Sequence, residues 1–184
     1  MSSVIDRAGC HPVQAAVDGL RAGLTGLVEE PVWTLSDGQL APAVTAAVAL
    51  VTQSQAMLLR LVGEADARGV AAVMGAPSTT SWLRARHHLH PGQASQLVKT
   101  AHAFRVGLPA TQAALGAGQI SLAHAHQIVR AHGDLPDGVD PALAASAEAR
   151  MVRDAKSFDP VTAGRLARYV VSRIDPAGAD TREG

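Results

Sequence analysis

The chain contains no asparagine, a single cysteine and very few aromatic residues, and these scarcities exclude several classes of protein. Aromatic side chains make up 3% of its 184 residues. A composition that is poor in aromatics and rich in alanine favours closely packed helices over a sheet sandwich. With Cys10 alone, the chain can form neither an intrachain disulfide nor a zinc site built from several cysteines.

Long apolar segments are also missing. The longest apolar run covers residues 40–51 and contains a proline and a threonine, so it falls well short of the roughly 20 residues that span a membrane. The first residues lack the basic start and the apolar stretch of a signal peptide. We therefore expect a cytoplasmic protein without membrane contact.

Acidic residues are absent between Asp66 and Asp134, although the chain as a whole has no net charge. A basic interval between acidic flanks is typical of contact with phosphate or another anion, and it fits equally well a solvated helical surface without such a partner. The interval holds seven of the eight histidines, and its cations are Arg68, Arg84, Arg86, Lys99, Arg105 and Arg130.

Helix start and stop signals predict an all-α fold, an irregular bundle of about seven or eight helices. Asp140-Pro141 and Asp159-Pro160 each combine an N-cap aspartate with a proline in the first turn, and Ser121 is a further N-cap. No apolar–polar alternation is long enough for a strand. The predicted helices cover residues 12–29, 42–69, 81–88, 91–105, 109–115 and 122–132, and two more begin at Pro141 and Pro160.

Apolar residues at three- and four-residue spacing predict which helix faces are buried. The first helix presents such a face, the second carries one along its length, and the last is expected to bury its bulkiest residues. On the first helix the set is Val13, Val17, Leu20, Leu24 and Leu27. On the second helix it is Val44, Val48, Val51, Leu58, Leu61, Val62 and Ala65, and on the last helix it is Leu166, Tyr169, Val170 and Ile174.

We expect four segments along the chain: a flexible N-terminus over residues 1–11, a helical arm over 12–75, a helical core over 78–174 and a disordered tail over 175–184. Pro77 marks the break between arm and core, because proline disfavours helix at the preceding residue. The apolar residues Val28, Val32, Trp33 and Leu35 cluster near the loop after the first helix. We expect them to close the core; the alternative is a surface on which a partner docks.

Residues 79–105 predict a helix-turn-helix-like corner, two short helices joined by a tight turn. Leu83, Leu89, Ala94 and Leu97 are spaced to hold such a crossing. Many helical bundles contain a corner of this kind without binding nucleic acid, so a purely structural corner is the alternative. If the corner binds DNA, the expected contact residues are Arg84 and Arg86 on the first helix and Gln93, Gln96, Lys99 and Thr100 on the second.

The chain lacks the recognised motifs of hydrolases, phosphate-binding loops and metalloproteases, so we predict no catalytic residue, no metal and no cofactor. His124 and His126 are two residues apart on a predicted helix and diverge by about 160°, which prevents them from sharing one ion. We expect His126 to be a hydrogen-bonded core residue and His124 to point to solvent. Cys10 is expected to be an inert thiol near a frayed terminus.

The middle of the chain resembles a known family, domain of unknown function 222, also called the 13E12 repeat family, which is common in actinobacteria. The resemblance covers roughly residues 15–178. The matching features are Trp82-Leu83, Ala94, the block from Val98 to Ala101, Leu108-Pro109, Ala114-Leu115, Gly118, Ile120-Ser121, His124 and Leu135-Pro136.

In that family the helical region usually precedes an HNH endonuclease domain, and no HNH residues follow here. The resemblance therefore implies a non-catalytic helical module associated with a DNA nuclease, and DNA is the partner that we expect it to contact. The alternative is a protein-interaction or scaffold domain, or a truncated repeat-family remnant, with no nucleic-acid role. Its partner would then be a second copy or a related full-length protein.

Overall fold

The structure is a computed structural model and describes residues 11–175. The expectations for Cys10, for the rest of the flexible N-terminus and for the tail after Asp175 lie outside that range. Within it the chain is helical and has no strand, which confirms the all-α prediction. The helices are α1 Pro12–Val28, α2 Asp37–Ala67, α3 Val70–Val73, α4 Thr79–His87, α5 Pro91–Val106, α6 Pro109–Gly116, α7 Leu122–Gly133, α8 Pro141–Ala155 and α9 Pro160–Ile174, with a 3-10 turn at Val32–Thr34.

Four helices begin at a proline that follows a capping side chain. Asp140 and Asp159 accept the backbone N–H groups of Ala142 and Val161 at 2.7 and 2.9 Å, which confirms both predicted N-caps. Histidine has the same role at α1 and α5, where the Nδ1 atoms of His11 and His90 accept backbone N–H groups. Proline suits this position because the first helical N–H has no partner within the helix.

The chain divides into two units, one up to Ala43 and one from Val44 onward. The predicted boundary between arm and core lies at residues 75–78, whereas the boundary between the two compact units lies inside α2. The reason is that the second half of α2 contributes Ala56, Leu59 and Val62 to the hydrophobic core of the second unit.

In the described part of the first unit, no residue is buried. The apolar face of α1 is solvent-exposed, and Trp33 is 84% exposed. Val28, Val32 and Leu35 are exposed as well. The expectation that these loop residues close the core is therefore wrong.

The predicted buried face of α2 is wrong for most of its members. Val44, Val48 and Val51 are 56–62% exposed, and Leu58 and Leu61 are exposed as well. The buried residues are Thr52, Ala56, Leu59, Val62 and Gly63. Small residues decide the choice of face: a Cβ atom at Gly63 would lie 3.3 Å from the carbonyl oxygen of Ala101, so glycine lets α2 approach α5 closely.

In the second unit α7 is the central helix and packs against α5, α6, α8 and α9. It buries Ala125, Ile128 and Ala131, while α9 packs on it through Ala163, Gly164 and Ala167. The last helix thus packs against the core through small residues and not through the bulky residues that we expected to be buried. Tyr169 is 63% exposed, and Leu166, Val170 and Ile174 are partly buried.

Candidate nucleic-acid interface

The helix-turn-helix-like corner is present and consists of α4 and α5, which pack against each other. Ser78 caps α4 by accepting the N–H of Ser81, and His88 ends it in the left-handed conformation at φ 54°. Leu83 and Ala94 are buried between the helices and the core, and Leu89 packs at its edge. These positions confirm the apolar residues that were predicted to hold the crossing.

A groove lies at the turn between the two helices. It has a volume of about 480 Å³ and is lined by Ser81, Arg84, Ala85, His88, Leu89 and Pro91. The groove therefore presents one guanidinium, one imidazole and one hydroxyl at a corner of the molecule. All three can donate hydrogen bonds to a phosphate oxygen.

The six residues predicted to contact DNA do not share one surface. Arg84, Arg86, Gln93 and Lys99 are exposed, and Gln96 is half-buried. Thr100 is 0% exposed and lies in the core side of α5, so its assignment to the binding surface is wrong. It accepts a hydrogen bond from Gln96 Nε2 at 3.5 Å, the long limit for such a bond.

Helix geometry separates the two arginines of α4. Residues two apart on a helix point about 200° from each other, so Arg84 and Arg86 project on opposite sides of α4. Only Arg84 lines the groove. On α5 the exposed Lys99 and His102 lie three residues apart on one side, and the half-buried Gln96 precedes Lys99 by the same spacing. His102 is not among the predicted contact residues, although its spacing from Lys99 is the signal that could have found it.

None of the exposed cations at the corner is neutralised by a described carboxylate. Among residues 11–175 the ion pairs are Arg68 with Glu64 and Arg150 with Asp154. Both lie outside α4 and α5. The absence of acidic residues from the interval between Asp66 and Asp134 explains why Arg84, Arg86 and Lys99 stay unpaired.

His124 does not point to solvent as expected. Its Nδ1 atom accepts the backbone N–H of Ser121 at 3.1 Å, and its Nε2 atom lies 2.9 Å from the carbonyl oxygen of Phe158. A carbonyl oxygen only accepts, so Nε2 carries the proton and Nδ1 is the free acceptor that the Ser121 bond needs. The ring thus completes a capping box at the start of α7 and ties α7 to the loop between α8 and α9.

His126 is half-buried, and its Nε2 atom has no hydrogen-bond partner among the described residues. The expectation of a hydrogen-bonded core histidine is therefore wrong for this atom. Burial lowers the pKa of the His126 ring below its usual value, because the charged form loses hydration. In the part of the chain that the structure describes, no three histidine, cysteine or acidic side chains are grouped closely enough to hold a metal ion.

By length and composition, α2 is the one described helix that could cross a membrane. Its most apolar window has a mean hydropathy of 1.3, and 17% of that window is buried. A single helix of this kind is a weak indication, since core helices of soluble proteins have the same composition.

The family profile described as domain of unknown function (DUF222) matches residues 39–184. The chain belongs to the DUF222 family. This match confirms the resemblance drawn from the residues between Trp82 and Pro136, and the DUF222 region includes the α4–α5 corner and the whole core. No curated protein and no solved structure is similar enough to this chain to count as a match.

Proposed function

We propose that this DUF222 chain is a non-catalytic helical module that contacts double-stranded DNA through the α4–α5 corner. The observation that carries the proposal is the set of exposed, unpaired cations on α4 and α5, Arg84, Arg86 and Lys99, of which Arg84 lines a groove of about 480 Å³. Phosphate contacts supply most of the affinity of such surfaces, because cations released from DNA on binding favour the complex.

The two helices of the corner divide the contacts between them. Arg84, His88 and Ser81 line the groove and are placed to hold one phosphate, since a guanidinium can donate two parallel hydrogen bonds to it. On α5, Lys99 adds a further exposed cation, and the exposed His102 imidazole three residues later can donate a hydrogen bond to a phosphate oxygen. The buried Thr100 and the half-buried Gln96 leave few groups for reading base edges, so binding through phosphates with little sequence preference is expected.

Association with an HNH nuclease is the second part of the proposal. It is supported by the family resemblance, in which the helical region usually precedes an HNH domain. In this arrangement the module holds DNA while a nuclease domain carries out the cleavage. The histidines at the helix starts and His124 make structural hydrogen bonds, which fits a binding role for this region.

Titration of a fluorescent duplex at several salt concentrations tests DNA contact. The triple variant Arg84→Ala, Arg86→Ala and Lys99→Ala should weaken binding, and each lost phosphate contact should reduce the salt slope by about 0.9. The exposed Arg21 on α1 supplies a matched control, and Arg21→Ala should bind as the unaltered protein does. A triple variant with unchanged affinity and salt slope would refute the proposal.

A second candidate function, self-association, is favoured by the exposed apolar seam of α2, which we define as Val44, Val48, Val51, Leu58 and Leu61. Val44, Val51 and Leu58 recur every seven residues, as in two-stranded coiled coils. No charged residue occurs between Asp37 and Arg60, so the same seam of a second copy meets no repulsion. The seam is thus self-complementary.

Light scattering after size-exclusion chromatography tests this candidate. The double variant Val44→Gln and Val51→Gln should shift a dimer to a monomer, because it places polar groups at two positions of the seven-residue repeat. Val73→Gln is the matched control, since Val73 is 85% exposed and lies outside the seam. An unaltered protein that is monomeric at every accessible concentration would exclude self-association through α2.

A further inference from the structure

Helices α8 and α9 carry a second group of cations, which does not stand out in the sequence because acidic residues lie among them. The sequence analysis assigned this region to an acidic flank. Residues 141–174 nevertheless contain six cations and three acidic residues, a net charge of 6 − 3 = +3. The cations are Arg150, Arg153, Lys156, Arg165, Arg168 and Arg173.

The three acidic residues of this segment are all engaged in structural contacts. Glu148 is 3% exposed and accepts two hydrogen bonds from Thr111. Asp154 is 8% exposed and pairs with Arg150. Asp159 caps α9, and the hydrogen bond from the Thr162 hydroxyl lowers the pKa of its carboxyl. None of the three pairs with a cation of α9.

The arginines of α9 lie on its solvent-exposed side. The opposite side is buried against the core through Ala163, Gly164, Ala167 and Val171. This packing is close, because a Cβ atom at Gly164 would lie 2.6 Å from the Gln127 side chain. The buried side of α9 is therefore fully used for packing against the core, and the arginines cannot turn toward it.

Arg165, Tyr169 and Arg173 are four residues apart and form one row along α9, with Arg168 beside them. All four side chains are exposed, and none of the three arginines pairs with a described carboxylate. We name this row, including Arg168, the α9 arginine face. Tyr169 and Arg173 also line a groove of about 270 Å³ between α8 and α9.

We infer that the α9 arginine face is a second contact surface for the phosphate backbone of a nucleic acid, separate from the α4–α5 corner. This inference rests on the proposed binding of DNA and adds a second point of attachment. Guanidinium groups match phosphate oxygens in pairs, and an exposed tyrosine between two arginines can pack on a sugar or a base. The row itself holds no carboxylate or amide, and the Asp154 carboxylate that lines the adjacent groove is paired with Arg150, so the surface contacts the backbone without reading base edges.

An anionic membrane is a less suitable partner for this surface. Helices that lie on membranes insert a broad apolar face among the lipids. On α9 the apolar face is already buried in the protein core, and the outer side presents only Val161 and Tyr169 as exposed large apolar or aromatic groups.

The test compares three variants of the full chain in the duplex titration. Arg165→Ala, Arg168→Ala and Arg173→Ala together should weaken binding at least tenfold and reduce the salt slope by about 2 to 3, as expected for three lost phosphate contacts. The same three residues changed to lysine should retain most of the salt slope, because the charges remain. The corner variant at Arg84, Arg86 and Lys99 completes the set, and circular dichroism checks that each variant is folded.

The outcomes separate this inference from the proposed function. If the α9 alanine variant matches the unaltered protein while the corner variant loses binding, the inference is wrong and the corner proposal stands. If only the α9 variant loses binding, the inference stands and the corner proposal is wrong. An unaltered protein that binds phosphatidylserine vesicles or an acidic peptide through these arginines, but no duplex at low salt, refutes both.

Discussion

Glu148 caps a helix that has no capping residue of its own. α6 begins after Leu108, whose side chain makes no capping hydrogen bond, and Pro109 has no N–H group. Glu148, 37 residues further along the chain in α8, accepts the backbone N–H of Thr111 at 2.7 Å and its hydroxyl at 2.8 Å through Oε1. Its negative charge also lies at the positive end of the α6 dipole.

Replacing Glu148 should destabilise the fold substantially. Glu148→Ala leaves the N–H and the hydroxyl of Thr111 buried without an acceptor, and we expect a loss of about 3 kcal/mol in the free energy of unfolding. Glu148→Gln keeps an acceptor oxygen but removes the charge, so it should cost about 1 kcal/mol. Urea denaturation of the variants measures both values. Equal losses for the two variants would show that the charge, and not the acceptor, provides the stabilisation.

His124 offers a second test, because its two ring nitrogens have different structural roles. His124→Ala loses the capping box with Ser121 and the bond to the Phe158 carbonyl, and it should cost about 2 kcal/mol. His124→Gln retains a side chain that can complete the capping box and loses the bond to Phe158, so roughly half of that cost is expected. Urea midpoints at neutral pH compare the two. A glutamine variant as unstable as the alanine variant would contradict the capping role.

Gly118 combines a left-handed backbone with a close contact. Its φ is +70°, and a Cβ atom there would lie 3.2 Å from the Cβ of Ala49 in α2. We expect Gly118→Ala to cost about 1–2 kcal/mol from backbone strain plus a smaller amount from this contact. Gly69→Ala is the matched control, since its φ is +65° and no atom lies within 4 Å of the added group. The difference between the losses of unfolding free energy in the two variants measures the contact with Ala49. Equal losses would show that α2 shifts to accommodate the added methyl group without loss of stability.

His126 should make the stability of the fold depend on pH. Because burial lowers the pKa of its ring, the folded chain binds this proton less tightly than the unfolded chain, whose histidines titrate near pH 6.5. The destabilisation is therefore absent well above pH 6.5, grows as the pH falls through 6.5 and is complete below the folded pKa. Unfolding free energies between pH 8 and 5 should fall less for His126→Leu than for the unaltered protein. Parallel pH profiles would contradict this assignment.

The helix boundaries followed from short-range signals. Asp140-Pro141, Asp159-Pro160 and Ser121 mark helix starts in both sequence and structure, because a cap satisfies backbone N–H groups only two or three residues away. The start of α2 was missed by five residues. It begins at Asp37 and includes Pro42 as its sixth residue, where proline removes one hydrogen bond to the carbonyl group four residues earlier, so the local signal favoured a later start.

The sequence by itself determined the all-α class, the starts of the later helices and the membership of the DUF222 family, because each depends on residues close together in the chain. Only the tertiary structure decided which faces are buried. α2 turns its valines outward because Gly63 and Ala56 allow closer packing, Thr100 is enclosed, and the outer side of α9 collects the arginines. It also decided that Glu148 caps α6 rather than adding charge to the surface. Spacing along a helix limits which residues can share a face, but the neighbouring helix decides which face is covered.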